Sequence, residues 1–181
     1  MNDLYLPTIL GTARPGRLSE AVANHVADRL KHRGVMTDLI DVADYGLTAT
    51  SVPGIGLEPA HYRELVTASD GLVIVAPEYN HGYPGELKLL LDLEYQAYVR
   101  KPVGFVSVSS GQLGGTRMVE QLRQVAAALQ MVSVSPAVHI TNVENAVRQT
   151  GEFVDESADV VLDQMIDEMA WYARSLTSGR S

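Results

Sequence analysis

Strand-like and helix-like periods alternate along this chain from end to end, and few architectures accommodate that rhythm. Apolar runs at residues 4–10, 36–42, 71–76, 102–109 and 131–134 read as strands, the last resuming at His139 and Ile140 after Pro136. Between the first two, residues 18–33 carry Val22, Val26 and Leu30 on one helical face, and Gly34 supplies a stop. Further helices are expected over residues 59–69, opened by Pro59, and over 85–99, 116–129 and 155–176. Residues 43–57 are irregular, with Gly46, Pro53, Gly54 and Gly56 as breakers. The run 71–76 is apolar at nearly every position, the pattern of a strand covered on both faces. Five strands alternating with helices predict an α/β chain with a parallel sheet, wound in the order 2-1-3-4-5 with helices on both faces. The 181 residues contain no internal repeat or linker, so one domain spanning 1–181 is expected.

Composition narrows the chemistry. A formal net charge of −8, with Lys and Arg scattered, argues against a nucleic-acid partner. The one basic cluster, Arg29, Lys31 and Arg33, falls at a helix C-terminus, where cations offset the dipole. The absence of cysteine rules out disulfides, thiolate metal sites and Cys nucleophiles. No stretch reaches the roughly 20 apolar residues of a membrane-spanning helix, and the first ten residues read as strand rather than signal peptide. A cytoplasmic location is the resulting expectation.

In a sheet of this order, ligands sit beyond the C-terminal strand ends, near the switch between the first and third strands. Three loops converge there. The first, Gly11-Thr12-Ala13-Arg14-Pro15-Gly16-Arg17-Leu18-Ser19, leads from a strand into a helix, whose free N–H groups and dipole favour phosphate. Thr12 and Ser19 bring hydroxyls, and Arg14 and Arg17 bring charge-assisted donors. The alternative is that Ser19 only caps the helix and the arginines are solvated. Gly11 and Gly16 have Walker-A spacing, but Arg17 and Leu18 stand where Lys and Ser/Thr are required, and no Rossmann glycine pattern occurs. The second loop, Pro77-Glu78-Tyr79-Asn80-His81-Gly82-Tyr83-Pro84-Gly85, is polar and aromatic and suits a planar, partly polar ring. The third, Ser109-Ser110-Gly111-Gln112-Leu113-Gly114-Gly115-Thr116, lets backbone approach a ligand closely; a plain turn before a helix is the alternative.

Together the segments Gly11-Thr12-x-Arg14, Pro77-Glu78-Tyr79-Asn80-x-Gly82-x-Pro84-Gly85-x-Leu87-Lys88-x-x-Leu91-Asp92 and Ser110-Gly111-x-x-Gly114-Gly115 resemble the signature segments of the NADPH-dependent FMN reductases. That family comprises azo-, quinone- and chromate-reducing flavoenzymes of flavodoxin-like fold, and the resemblance covers about residues 4–135. It implies that Thr12, Arg14, Arg17 and Ser19 hold the FMN phosphate, with Leu18 also in the cofactor site, and that Pro77, Glu78, Tyr79 and Asn80 line the isoalloxazine. It places Ser110, Gly111 and Gly114 near the pyrimidine edge, and implies homodimers or homotetramers. Two positions depart from the common pattern. Thr12 replaces a frequent Ser but keeps the hydroxyl, and Leu89 stands where Asn is frequent, a change that the resemblance implies would alter an intersubunit contact or the pocket entrance.

The function these features imply is an FMN-dependent NAD(P)H oxidoreductase. Hydride would pass from NADPH or NADH through FMN to a quinone, azo compound, flavin or similar small acceptor. Bound flavin performs the redox chemistry, so no catalytic side chain or metal is expected. A flavodoxin-type electron carrier with a protein partner is the alternative; the first loop is not the Ser/Thr-rich type of such carriers. His81 and Tyr83 can border an acceptor pocket or be plain surface residues. His25, His32 and His61 lack metal-ligand spacing. The acidic run Glu152, Asp155, Glu156, Asp159 complements the dipole of the last helix. Leu89, Leu91, Tyr95 and Tyr98 form an apolar stripe suited equally to core packing or a homodimer surface.

Overall fold

The strands align in parallel in the order β2-β1-β3-β4-β5, formed by β1 (Thr8–Leu10), β2 (Leu39–Asp41), β3 (Leu72–Pro77), β4 (Pro102–Val108) and β5 (Val132–Ile140). The computed structural model describes residues 4–48, 60–148, 152–154 and 156–177. Pro53, Gly54, Gly56, Pro59 and Asp155, singled out above, lie outside the described residues. The helices are α1 (Ser19–His32), α2 (Ala60–Ala68), α3 (Gly85–Leu91), α4 (Thr116–Ala128), α5 (Val143–Ala146) and α6 (Glu156–Thr177). This is the expected flavodoxin-like doubly wound architecture.

The period-2 alternation of the central strand divides the core. Val73 and Val75 join Leu10, Val106 and Val138 under α1 and α6, while Leu72, Ile74 and Ala76 join Ile9, Ile40 and Phe105 under α2, α3 and α4. Burial on both faces of β3 accounts for its unbroken apolar run. Above the first face, α1 and α6 are laced by a polar ladder. His25 meets Asp159 at 2.7 Å, Arg29 meets Asp163 at 2.7 and 2.9 Å, and Arg33 meets Asp167. Each pair is 134 residues apart, so successive turns of α1 meet successive turns of α6 and the two helices run in the same direction.

Several boundaries differ from the sequence reading, among them the second strand, expected over 36–42 but confined to Leu39–Asp41, with a 3-10 helix over Val42–Tyr45. The first strand is shorter than residues 4–10 because Pro7 has no N–H to donate, although Leu6 N–H donates to the Met36 carbonyl at 2.9 Å and extended pairing continues. The helix expected over 85–99 ends at Leu91 and restarts as a 3-10 turn, Gln96–Tyr98. The Glu94 carboxylate accepts from Tyr95 N–H at 2.7 Å and Ala97 N–H at 3.4 Å, a local alternative to helical hydrogen bonds. Tyr98 thereby turns inward to the Tyr62 hydroxyl, whereas Tyr95 stays 43% exposed, so the apolar stripe splits between core and surface. Residues 132–140 form one strand through Pro136, which an edge position with a register shift opposite Val103 and Phe105 tolerates.

Candidate functional site

The C-terminal ends of β1, β3, β4 and β5 open side by side. Their ladder runs one residue further into the loops: Gly11 N–H to Val75 O, Glu78 N–H to Val108 O and Ser109 N–H to Ile140 O, at 2.8–3.0 Å. Between these loops lies a cleft of about 320 Å³, lined by Arg14, Pro15, Gly16, Arg17, Leu18, Ser19, Pro77, Glu78, Tyr79, Val108, Ser109, Ser110 and Val143. That volume lies at the lower end of the ordinary range for ligand sites. Larger clefts occur elsewhere among the described residues. One of about 830 Å³ surrounds Tyr5, Lys31, Met36 and Asp38 near the opposite strand ends, and one of about 510 Å³ lies between α1 and residues 148–159. Neither sits where an open parallel sheet directs its loops and helix N-termini, so position and chemistry outrank volume.

The first loop is braced from outside. Thr12 is fully buried; its hydroxyl donates to Glu86 Oε1 at 3.1 Å and accepts from Arg14 N–H at 3.3 Å. With that proton committed to Glu86, the Tyr79 hydroxyl 3.3 Å away is the donor to Thr12. Arg17 is only 12% exposed; Nη1 donates to the Thr12 carbonyl at 2.6 Å and to Asp41 Oδ1 at 2.9 Å, and Nη2 donates to Asp41 Oδ2. Burial works against its charge, but Asp41 and Glu20 more than compensate and hold the guanidinium ionised. Thr12 and Arg17 therefore shape the loop. Arg14 is exposed, its guanidinium 5.6 Å from the Tyr79 ring centroid.

Ser19 is the first residue of α1, not its cap. The capping position is Leu18, and no side chain bonds to the first N–H groups. Ser19 is 2% exposed, yet its hydroxyl has no hydrogen-bond partner. An unpaired buried hydroxyl on the cleft wall, uncapped helix amides and the Arg14 charge make a donor set without an acceptor. A phosphate fits it.

The second loop closes as a tight turn. Tyr79 and Gly82 exchange both backbone hydrogen bonds at 2.9 Å, and the central residues Asn80 and His81 have φ of 49° and 70°. Positive φ at both centres is the I′ geometry, uncommon without glycine and held only where surroundings enforce it. Glu78 supplies part of that enforcement: its carboxylate, 4% exposed, pairs with Arg117 Nε at 2.8 Å and Nη2, and accepts from Met118 N–H at 3.3 Å. Burial would push this carboxyl up, but Arg117 and the Met118 amide win and hold it below the usual range. Pro77, Glu78 and Tyr79 line the cleft, and Asn80 sits in the turn beside it.

The third loop is fitted onto the sheet edge. Gly114 and Gly115 have φ of 58° and 83°, and a Cβ on either would come within 3.0 Å of His139 or Ser107. The Ser107 hydroxyl donates to the Gly114 carbonyl, so its 2.8 Å contact with His139 Nδ1 has the imidazole donating. Ser110 lines the cleft and donates to Glu144 Oε1 at 3.0 Å; Gly111 N–H donates to Ser109 Oγ at 3.0 Å. Gly111, which is exposed, and Gly114, which is buried, are not among the lining residues.

Asp41, Glu86, Arg117, Val143 and Glu144 were not singled out from sequence. Each bonds to, or packs beside, loop residues far along the chain, and no local spacing marks such contacts. Among the described residues, no group of His, Asp and Glu is placed to hold a metal, and no helix is long and apolar enough to cross a membrane.

Fold and cleft thus define a doubly wound α/β protein with a donor-lined cleft at its switch point. The family model for NADPH-dependent FMN reductase matches residues 6–145, and the chain belongs to that family. It is 28% identical over 182 residues to an NAD(P)H-dependent FMN reductase of Pseudomonas aeruginosa, covering 97% of this chain and 98% of that protein. It is 32% identical over 162 residues to a quinone reductase of Escherichia coli, covering 84% and 86%. Among solved structures it resembles FerB, a flavoenzyme NAD(P)H:(acceptor) oxidoreductase from Paracoccus denitrificans. The TM-score is 0.76 at 20% identity over 95% of this chain and 98% of that one, a likeness of fold. The protein is an oxidoreductase using FMN and NAD(P)H.

Proposed function

We propose that the cleft binds FMN with its phosphate on Arg14, Leu18 and Ser19, in a loop that Thr12 and Arg17 hold in shape, its ring against Pro77, Glu78, Tyr79 and Asn80, and its pyrimidine edge toward Ser110, Gly111 and Gly114. The unpaired buried hydroxyl of Ser19, at the uncapped start of α1, carries the reading. Bound FMN supplies hydride acceptance from NADPH or NADH and delivery to a small acceptor; a quinone, azo compound or flavin is the proposed class.

The chain's own residues bind, orient and shield. Helix amides and the Ser19 hydroxyl donate to phosphate oxygens, and Arg14 adds charge from the open side. Asp41 and Glu20 hold Arg17 in place, fixing the loop rather than leaving a second free cation. Arg117 neutralises Glu78, so the ring-side wall presents no bare carboxylate. Leu18, Val108 and Val143 make the lining of the cleft partly apolar. Leu89 and the exposed Tyr95 offer a surface for a homodimer or homotetramer, which sedimentation measures directly.

Anaerobic mixing of FMN-loaded protein with NADPH or NADH tests the reading. Rapid bleaching of the yellow absorbance, followed by recovery on adding benzoquinone, is expected. Stable yellow protein under both nucleotides would favour an electron carrier, and failure to bind FMN would sink the assignment.

A further inference from the structure

The ring-side turn is held from one face of α4. Arg117 directs Nε and Nη2 to Glu78 Oε1 and Nη1 to His81 Nε2 at 2.7 Å. Gln121, one helical turn later, donates Nε2–H to the His81 carbonyl at 2.9 Å. Because a guanidinium only donates, His81 Nε2 is the acceptor and its ring proton sits on Nδ1. Neither Arg117 nor Gln121 lines the cleft, and both act on residues that line or border it.

Resting on the FMN reading, we propose that Arg117 is a positioning and charge-setting residue of this reductase. It clamps the left-handed Asn80–His81 turn and neutralises the carboxylate of Glu78, a residue of the cleft lining. Three features give it that role. The turn places two consecutive non-glycine residues at positive φ, which must be held from outside. Glu78 is nearly sealed from water while Arg117 is 43% exposed, so the guanidinium closes over a carboxylate that solvent cannot screen. The start of α4 lacks a side-chain cap, and the Glu78 carboxylate accepts from Met118 N–H there; the Glu78–Arg117 pair ties the turn and the helix together. Without Arg117 the Glu78 carboxylate, on a residue of the cleft lining, is a buried negative charge with no cation beside it. It disfavours a reduced, more anionic flavin more than an oxidised one.

The test compares R117A, R117K and R117A/E78Q with the wild type in two independent measurements. In the FMN-free protein, amide exchange at Tyr79 and Gly82 reads the clamp without any flavin. Exchange at least tenfold faster is expected in R117A and in R117A/E78Q, because both lose the fork. In FMN-loaded protein, R117A should have a lower midpoint potential, by about 30 mV for each tenfold difference in affinity between the two flavin states. R117A/E78Q should recover the potential without recovering amide protection, a split that a purely structural role does not produce. R117K keeps the charge but not the fork, so it should hold the potential and lose part of the protection. It also serves if R117A does not fold. Wild-type exchange and potential in R117A, or in R117K if only that variant folds, overturn the proposal. A wild-type protein that does not bind FMN defeats the cofactor reading instead, and the exchange data still judge the clamp.

Discussion

Ser19 is the residue at which stability and function pull apart. A buried hydroxyl without a partner costs about 1–3 kcal/mol relative to a satisfied one, and this one lies on the wall of the cleft. Ser19→Ala removes the unsatisfied group and is expected to leave the melting temperature of the FMN-free protein unchanged or slightly raised. The same substitution deletes a donor to a charged acceptor, worth about 1.5–3 kcal/mol, or roughly ten- to hundredfold in FMN affinity. Fluorescence titration of the FMN-free variant measures it, and unchanged affinity would remove Ser19 from the site. Arg14→Ala tests the other half of the cradle. Arg14 is exposed and bonded through its backbone N–H, so its loss should weaken FMN binding without lowering fold stability. Arg17→Ala should do both, because that guanidinium ties Asp41 to the Thr12 carbonyl.

At the scale of elements, the ladder between α1 and α6 sets an acid limit. Two hydrogen bonds from Arg29, with partial burial opposing, hold the Asp163 carboxyl below its ordinary value. Glu78 and Glu94 are lowered too, burial working against their Arg and backbone donors and losing. A carboxyl depressed in the native state contributes stability that is complete above its unfolded value, about 4, and lost as pH falls through the folded one. Urea midpoints should therefore be flat in these groups from neutral pH to about pH 5 and fall steeply below about pH 4. In Asp163→Asn, which lacks one of them, that fall should be shallower. Strand order followed from the alternation of strands and helices, and element type was legible because hydropathy pattern is local: Val22, Val26 and Leu30 mark a helix, and the unbroken apolar run 71–76 marks a strand covered on both faces. The break after Leu91 was not, since it depends on the Glu94 carboxylate bonding its own backbone, which no hydropathy period encodes. The candidate site divides the same way. Its loops were legible from Gly, Pro and hydroxyl content, while the braces Glu86 and Arg117 reach them across 74 and 39 residues.

For the whole molecule, the cradle exists only when the sheet is assembled. Its walls come from segments after β1, β3, β4 and β5, brought together by the parallel register Leu10↔Val75, Pro77↔Val108 and Val108↔Ile140. An unfolded chain holds none of that geometry, so FMN binds the native state alone and its binding energy adds to fold stability. At free FMN 100 times its dissociation constant the gain is about 2.7 kcal/mol, and for a chain of this size that raises the melting temperature by roughly 5–10 °C. Riboflavin carries the same ring without the phosphate. If Arg14, Ser19 and the α1 amides hold the phosphate, riboflavin at the same concentration should give a markedly smaller shift. Its residual effect should survive Ser19→Ala unchanged, while the FMN shift in that variant contracts toward the riboflavin value. Equal shifts from the two ligands in the wild type would mean that the ring alone binds, and the first loop would lose its assigned role.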